Sequence, residues 1–133
     1  MNNDSNELTV NLIRALVENM ADGHDAALND WQLLSMIIGS YEGQLNSTSG
    51  YAYLADGTIT AVASSFNAIK PALDAYMESY YKSGEKLPVA VLVQFDRTTG
   101  KYSVTFEDTD EDRWKVTPRN FKEIREELRP QLG

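Results

Sequence analysis

The sequence lacks the residues on which most catalytic chemistry depends. It contains no cysteine, so disulfides, thiolate-bound metals and a cysteine nucleophile are all excluded. The single histidine, His24, lies in the acidic segment DGHD with no serine in a nucleophile turn beside it, and we expect it to be a solvated turn residue. Gly39, Gly43 and Gly50 are scattered and form no phosphate-binding loop. We therefore predict a protein that is not an enzyme and that holds no cofactor or metal.

Positive charge is missing from a long part of the chain. No lysine or arginine occurs between Arg14 and Lys70, an interval that holds six acidic residues. The net charge is −8, and the isoelectric point is near 4.5. Such a chain repels nucleic-acid backbones and anionic membrane surfaces, so neither is expected as a partner. A basic protein is the partner that this charge favours.

Long apolar runs are also missing. No stretch is long enough to span a membrane, and the first residues, MNND, have neither the basic nor the apolar region of a signal peptide. We therefore expect a cytoplasmic protein. With 133 residues and 42% hydrophobic residues, the chain is expected to form one domain, residues 1–133, with a core of its own.

The hydrophobic pattern predicts an α+β fold. Some segments have apolar residues at helical spacing, and others have them at every second position, as strands do. Together these segments give the order α-β-β-β-α-β-β-α. A mostly antiparallel five-stranded sheet is expected, with the helices packed on one face. The stretch from Gly39 to Gly50 has no clear period and is interpreted as a loop or an extended hairpin. The predicted elements are helices at about 6–21, 66–82 and 117–128, a central strand at Trp31–Ile38, and hairpins at 51–63 and 89–106.

The last hairpin leads directly into a block of negative charge. Five carboxylates lie within six residues and are followed by an arginine, a tryptophan and a lysine. Most such runs are solvated loops, and the tryptophan also suits a core position under the last helix. The alternation of Asp108, Asp110 and Asp112 copies the start of a calcium loop, but Arg113 and Arg119 stand where that loop needs glycine and glutamate. As an interface, the block would offer an anionic surface with an aromatic anchor. The predicted partner-binding residues are Glu107, Asp108, Asp110, Glu111, Asp112 and Trp114.

The order of these elements resembles the YezG-like immunity proteins of bacterial polymorphic toxin systems. The resemblance covers about residues 31–130 and is carried by the hairpin segment GKYSVTFED (residues 100–108) and by the tail from RWKVTP (113–118) to LRP (128–130). It implies a protein without catalytic activity that binds and neutralises a cognate toxin, often a nuclease. It carries over no binding residue.

The alternative is a non-catalytic adaptor or a homodimer. It would use the sheet face that the helices leave uncovered, with Tyr51, Tyr53 and Gln94 as contact residues.

Overall fold

The computed structural model describes residues 3–21, 31–41, 44–81, 85–110, 112–115 and 117–131. In these ranges the chain forms three helices and one six-stranded antiparallel sheet, whose strand order is β1-β4-β3-β2-β5-β6. The elements are, in chain order, α1 (Asn3–Glu18), β1 (Met20–Ala21), β2 (Trp31–Tyr41), β3 (Gln44–Leu54), β4 (Ile59–Ser64), α2 (Phe66–Tyr80), β5 (Ala90–Asp96), β6 (Tyr102–Glu107) and α3 (Phe121–Glu127).

The predicted α+β class and the predicted order of the longer elements are confirmed. Strand β1, which has two residues, adds an edge to the five longer strands by pairing with the end of β4. In this antiparallel pair, Met20 lies opposite Ser64 and Ala21 lies opposite Ala63. None of the helices in the described ranges combines the length and apolar character needed to cross a membrane.

Strand β2 is the centre of the sheet, as its sequence predicts. It pairs with β3 on one side and with β5 on the other. Leu34, Met36 and Ile38 belong to one hydrophobic cluster, and Ile37 belongs to a second cluster on the opposite face. Because side chains alternate between the faces of a strand, a run that is apolar at nearly every position requires cover on both sides.

Helices α1 and α2 cover the first face of the sheet. Leu12 and Leu16 of α1 are fully buried against Ile69 and Leu73 of α2. Their spacing of three or four residues places them on the inward side of each helix. Burying a leucine or isoleucine side chain contributes about 1.5–3 kcal/mol, so this stripe is a large part of the core energy.

Helix α3 covers the second face, which corrects the prediction that all helices lie on one face. Ile124 of α3 and Leu128 just after it are buried with Ile37, Tyr51 and Leu92 of the sheet. The amphipathic pattern of α3 shows which of its own sides is apolar, but it does not show which face of the sheet receives that side.

The polar segment before Tyr51 is the first half of β3 rather than a loop. Residues 44–50 pair with the apolar end of β2, so the extended-hairpin interpretation is the correct one. Gly50 makes this pairing possible, since a Cβ atom at its position would lie 2.0 Å from the carbonyl oxygen of Ser35 and 2.8 Å from Cα of Met36. The close approach of two backbones explains a glycine inside a strand.

Candidate functional site

The β5–β6 hairpin leads directly into the predicted site. Its connection bends at Gly100, which has a φ of +79°, and its N–H donates to the carbonyl of Asp96. The carboxylate of Asp96 accepts the N–H groups of Thr98 and Thr99, a pattern that stabilises tight turns. The two strands then run in register from Phe95 opposite Tyr102 to the end of β6. We call the segment that follows, residues 107–115, the acidic turn; Glu111 lies outside the described residues.

Glu107 holds the acidic turn in shape. Its Oε2 accepts the N–H groups of Thr109 and Asp110, both at 3.2 Å, and its Oε1 accepts a hydrogen bond from the Arg113 guanidinium at 2.9 Å. The side chain of Glu107 is only 14% exposed. The backbone N–H groups of Asp110 and Thr109, followed by the Arg113 guanidinium, keep the pKa of Glu107 below its ordinary value. The carboxylate of Glu107 thus organises the turn, and its predicted contact with a partner stays a prediction.

Three carboxylates of the acidic turn face the solvent. Asp108, Asp110 and Asp112 are exposed, and Oδ1 of Asp110 accepts the N–H of Asp112 at 2.9 Å. Lys115 Nζ lies 3.8 Å from Asp112, but both side chains are more than 60% exposed, so this pair is strongly screened. Asp108 and Asp110 form no ion pair with any lysine or arginine that the structure describes. The turn therefore keeps an outward negative charge, although Arg113 balances Glu107.

These carboxylates are not arranged as metal ligands. In the described ranges no three histidine or acidic side chains converge as a metal site would require. The hydrogen bond between Asp110 and Asp112 instead serves the backbone of the turn.

Trp114 is buried, which confirms the core position under the last helix and corrects the alternative role of an exposed aromatic anchor. Its side chain is 8% exposed and belongs to the cluster that α3 forms with the second face of the sheet. The Arg113 guanidinium lies 4.7 Å from the centre of its ring, so the cation covers the remaining outer side. Trp114 thus fixes the end of the acidic turn to the core.

The sheet face that the alternative hypothesis assigned to a partner is occupied by α3. Tyr51 and Tyr53 are 7% and 1% exposed. The Tyr53 hydroxyl donates to the Arg125 carbonyl at 2.6 Å, and Gln94 Nε2 donates to the Leu128 carbonyl at 3.1 Å. The buried hydroxyl of Ser35 also donates to the Leu128 carbonyl. These sheet residues supply donors to carbonyls at the end of α3, where helices lack internal partners.

The sequence did not predict that Ser35 helps to hold the end of α3 on the sheet. The only signal available was a small polar residue in the middle of the apolar run WQLLSMII, and a polar group at such a position needs a hydrogen-bond partner.

Comparison with known proteins finds no match. No family model matches the chain, and no curated protein or solved structure does. The likeness to YezG-like immunity proteins stays a prediction.

Proposed function

We propose that this chain is a non-catalytic inhibitor that binds and neutralises a basic protein domain, with the acidic turn on its contact surface. The observation that carries the proposal is the outward set of carboxylates, Asp108, Asp110 and Asp112, on a turn that is held at both ends. Glu107 fixes the first end through its hydrogen bonds, and Trp114 fixes the second through the core.

A turn held in this way suits rapid recognition. Ordering a loop on binding costs about 0.5–1.5 kcal/mol for each side chain that is immobilised, and a turn fixed in advance avoids part of that cost. Carboxylates bunched on one side of a chain with a net charge of −8 also attract a basic partner from a distance. Such steering raises association rates to about 10⁸–10⁹ M⁻¹s⁻¹ at low salt.

The partner that best fits this surface is a nuclease-type toxin domain in the cytoplasm. A nuclease needs a basic surface to hold phosphates, and the same surface attracts a row of carboxylates. The resemblance of the hairpin and tail to YezG-like immunity proteins supports the same class of partner.

A second candidate is a homodimeric interaction module. The position of β6 at the edge of the sheet, with β5 on its inner side, favours it.

Co-expression tests the inhibitor proposal directly. Cells would carry this chain together with a basic toxin domain of nuclease type taken from a gene that neighbours its own, and survival would be measured. We expect survival with the chain and death without it. Death in both cases would contradict the proposal.

Charge reversal tests the role of the acidic turn. The double variant Asp108→Lys with Asp112→Lys changes the charge by +4, and the matched control Glu78→Lys with Glu127→Lys makes the same change on exposed helix positions. We expect the first variant to associate with the toxin domain about tenfold more slowly at low salt, with a flatter salt dependence, and the control to keep the wild-type salt dependence. Equal rates for the two variants would place the interface elsewhere.

A further inference from the structure

Strand β6 lies at the edge of the sheet, with β5 on its inner side. The N–H of Asp96 donates to the carbonyl of Lys101, which fixes the alternation of hydrogen bonds along the hairpin. Ser103 and Thr105 therefore turn their backbone groups toward β5, while Tyr102, Val104 and Phe106 turn theirs outward. No described residue forms a backbone hydrogen bond with these outward groups. They are a row of donors and acceptors ready to pair with another strand.

The sequence of this edge is complementary to itself when it is reversed. Residues 101–107 read KYSVTFE. If two copies run antiparallel with Val104 opposite Val104, then Tyr102 lies opposite Phe106, Ser103 opposite Thr105, and Lys101 opposite Glu107. Every cross-strand pair then joins side chains of matching chemistry: two aromatic rings, two hydroxyls, and one cation with one anion.

We propose that two copies of this chain form a dimer by pairing β6 with β6 about a two-fold axis at Val104, which joins their sheets into one. This proposal does not rest on the proposed inhibitor function.

The backbone supports the same register. Tyr102, Val104 and Phe106 are all outward, so the pairing about Val104 brings outward groups opposite one another at all three positions. Each such pair exchanges two hydrogen bonds. A shift by one residue would place outward groups opposite inward ones, and a shift by two would leave one of the three positions unpaired. The register with complementary side chains is therefore also the register with the most hydrogen bonds.

An exposed apolar strip follows this edge on the side of α1 and α2. Tyr80 is 51% exposed and its ring lies 5.5 Å from that of Phe106. Tyr102 and Val10, which are 37% and 41% exposed, line a groove of about 440 Å³ at the other end of the strand. Three of the five large hydrophobic residues that are exposed in the described ranges thus border β6. Pairing about Val104 brings this strip against its copy.

The charges at the two ends of β6 distinguish a dimer edge from a protected edge. Proteins often block an edge strand with lysines, because like charges repel a second copy. Here Lys101 and Glu107 stand at symmetric positions with opposite signs, so a second antiparallel copy is attracted at both ends. The Glu107 carboxylate already contacts Arg113, and the lysine of the other copy would approach the same carboxylate.

Light scattering and amide exchange on the wild-type chain test the dimer. We expect the mass to rise from 14.9 kDa toward twice that value as concentration increases. Over the same series, exchange at the amides of Tyr102, Val104 and Phe106 should slow, while the amides of Ser103 and Thr105 are protected throughout by β5. A monomer at every concentration would overturn the proposal and leave the edge to a strand of another protein. A dimer in which the three outward amides exchange freely would overturn it as well.

A pair of charge variants tests the register. Lys101→Glu sets two anions opposite each other at both ends of the dimer, and we expect its dissociation constant to rise about 10- to 30-fold. Glu107→Lys sets two cations opposite each other with the same result. A mixture of the two variants restores attraction at both ends, so the mixed dimer should form with near wild-type affinity. Unchanged affinity for Lys101→Glu would refute the register.

Glu107 also shapes the acidic turn, so the folding of Glu107→Lys must be verified by circular dichroism. If it does not fold, Val104→Pro replaces it. Proline removes an outward N–H that contributes to the dimer and leaves the bonds to β5 in place, as is tolerated on edge strands. We expect a folded monomer, and a dimer of wild-type affinity would contradict the proposal.

Discussion

Replacing Tyr53 with phenylalanine tests how α3 is held on the sheet. The phenol is 1% exposed, and its hydroxyl donates to the Arg125 carbonyl at 2.6 Å. Arg125 lies in the last turn of α3, where the N–H of Arg129 donates to Glu126 instead. Among the described residues, the Tyr53 hydroxyl is thus the donor to the Arg125 carbonyl. Tyr53→Phe removes this donor but keeps the aromatic ring, whose centre lies 4.9 Å from the Arg129 guanidinium.

The magnitude follows from the burial of both partners. A hydrogen bond of this kind contributes about 0.5–1.5 kcal/mol net, and a buried acceptor left without a donor costs about 1–3 kcal/mol. Water can reach the end of α3 in part, because Arg125 and Arg129 are half-buried. We therefore expect Tyr53→Phe to lower the free energy of unfolding by about 1–2 kcal/mol and the melting temperature by roughly 4–8 °C.

Tyr51→Phe is the matched control. Tyr51 lies two residues away on the same strand and face and is 7% exposed, but its hydroxyl donates no hydrogen bond to a described residue. We expect a change below about 0.5 kcal/mol. The assay is urea unfolding at neutral pH followed by the fluorescence of Trp31 and Trp114, both of which are buried.

Amide exchange locates the effect. The N–H of Leu128 donates to the Ile124 carbonyl at 2.9 Å, and its protection reports whether the end of α3 stays formed. In Tyr53→Phe this amide should exchange faster, whereas amides of β2 should change only as far as global stability falls. If Tyr53→Phe and Tyr51→Phe prove equally stable, the hydroxyl does not hold α3 and the reasoning fails.

Three further predictions concern close packing and pH. Gly50→Ala should destabilise the fold by more than about 3 kcal/mol in urea unfolding, because its Cβ would meet backbone atoms, whereas Gly39→Ala meets only the Ser47 hydroxyl at 3.1 Å and should cost far less. The depressed pKa of Glu107 contributes stability that is present above its ordinary pKa and is lost as pH falls through the folded value, so Glu107→Gln should flatten the acid side of a melting-temperature series; an unchanged slope would contradict this. Burial raises the pKa of Tyr53 and of Tyr76 above 10.0, so these phenols ionise in the unfolded chain at a lower pH than in the folded one. The wild-type chain should therefore lose stability as pH rises above 10.0, and Tyr53→Phe should lose less.

The sequence predicts the elements well because each depends on local pattern. The alternation of Val91, Val93 and Phe95 requires a strand, and the run from Trp31 to Ile38 requires a strand covered on both sides. The same run implies that both faces of the sheet are covered. The sequence does not show, however, which of the three helices lies on which face, because each helix has one apolar side that fits either face. The buried contacts of Ile124 decide the matter, and they join residues far apart in the chain.

The sequence shows where the acidic turn lies but not how it is built, and partner binding there stays a prediction. A cluster of charge is visible in sequence, but its internal pairing is a matter of geometry: Glu107 bends back to Arg113 because the turn brings them together. Trp114 shows the same limit. A tryptophan among charged residues suits an interface or a core, and only its position under α3 distinguishes them.

The placement of α3 has a consequence for synthesis in the cell. The residues from Trp114 onward leave the ribosome after every strand of the sheet, so the cover of the second face arrives last. Until then Ile37, Tyr51 and Leu92 form an exposed hydrophobic surface on the nascent chain. Chains that terminate early would keep that hydrophobic surface exposed, and we expect chaperones and proteases to remove them.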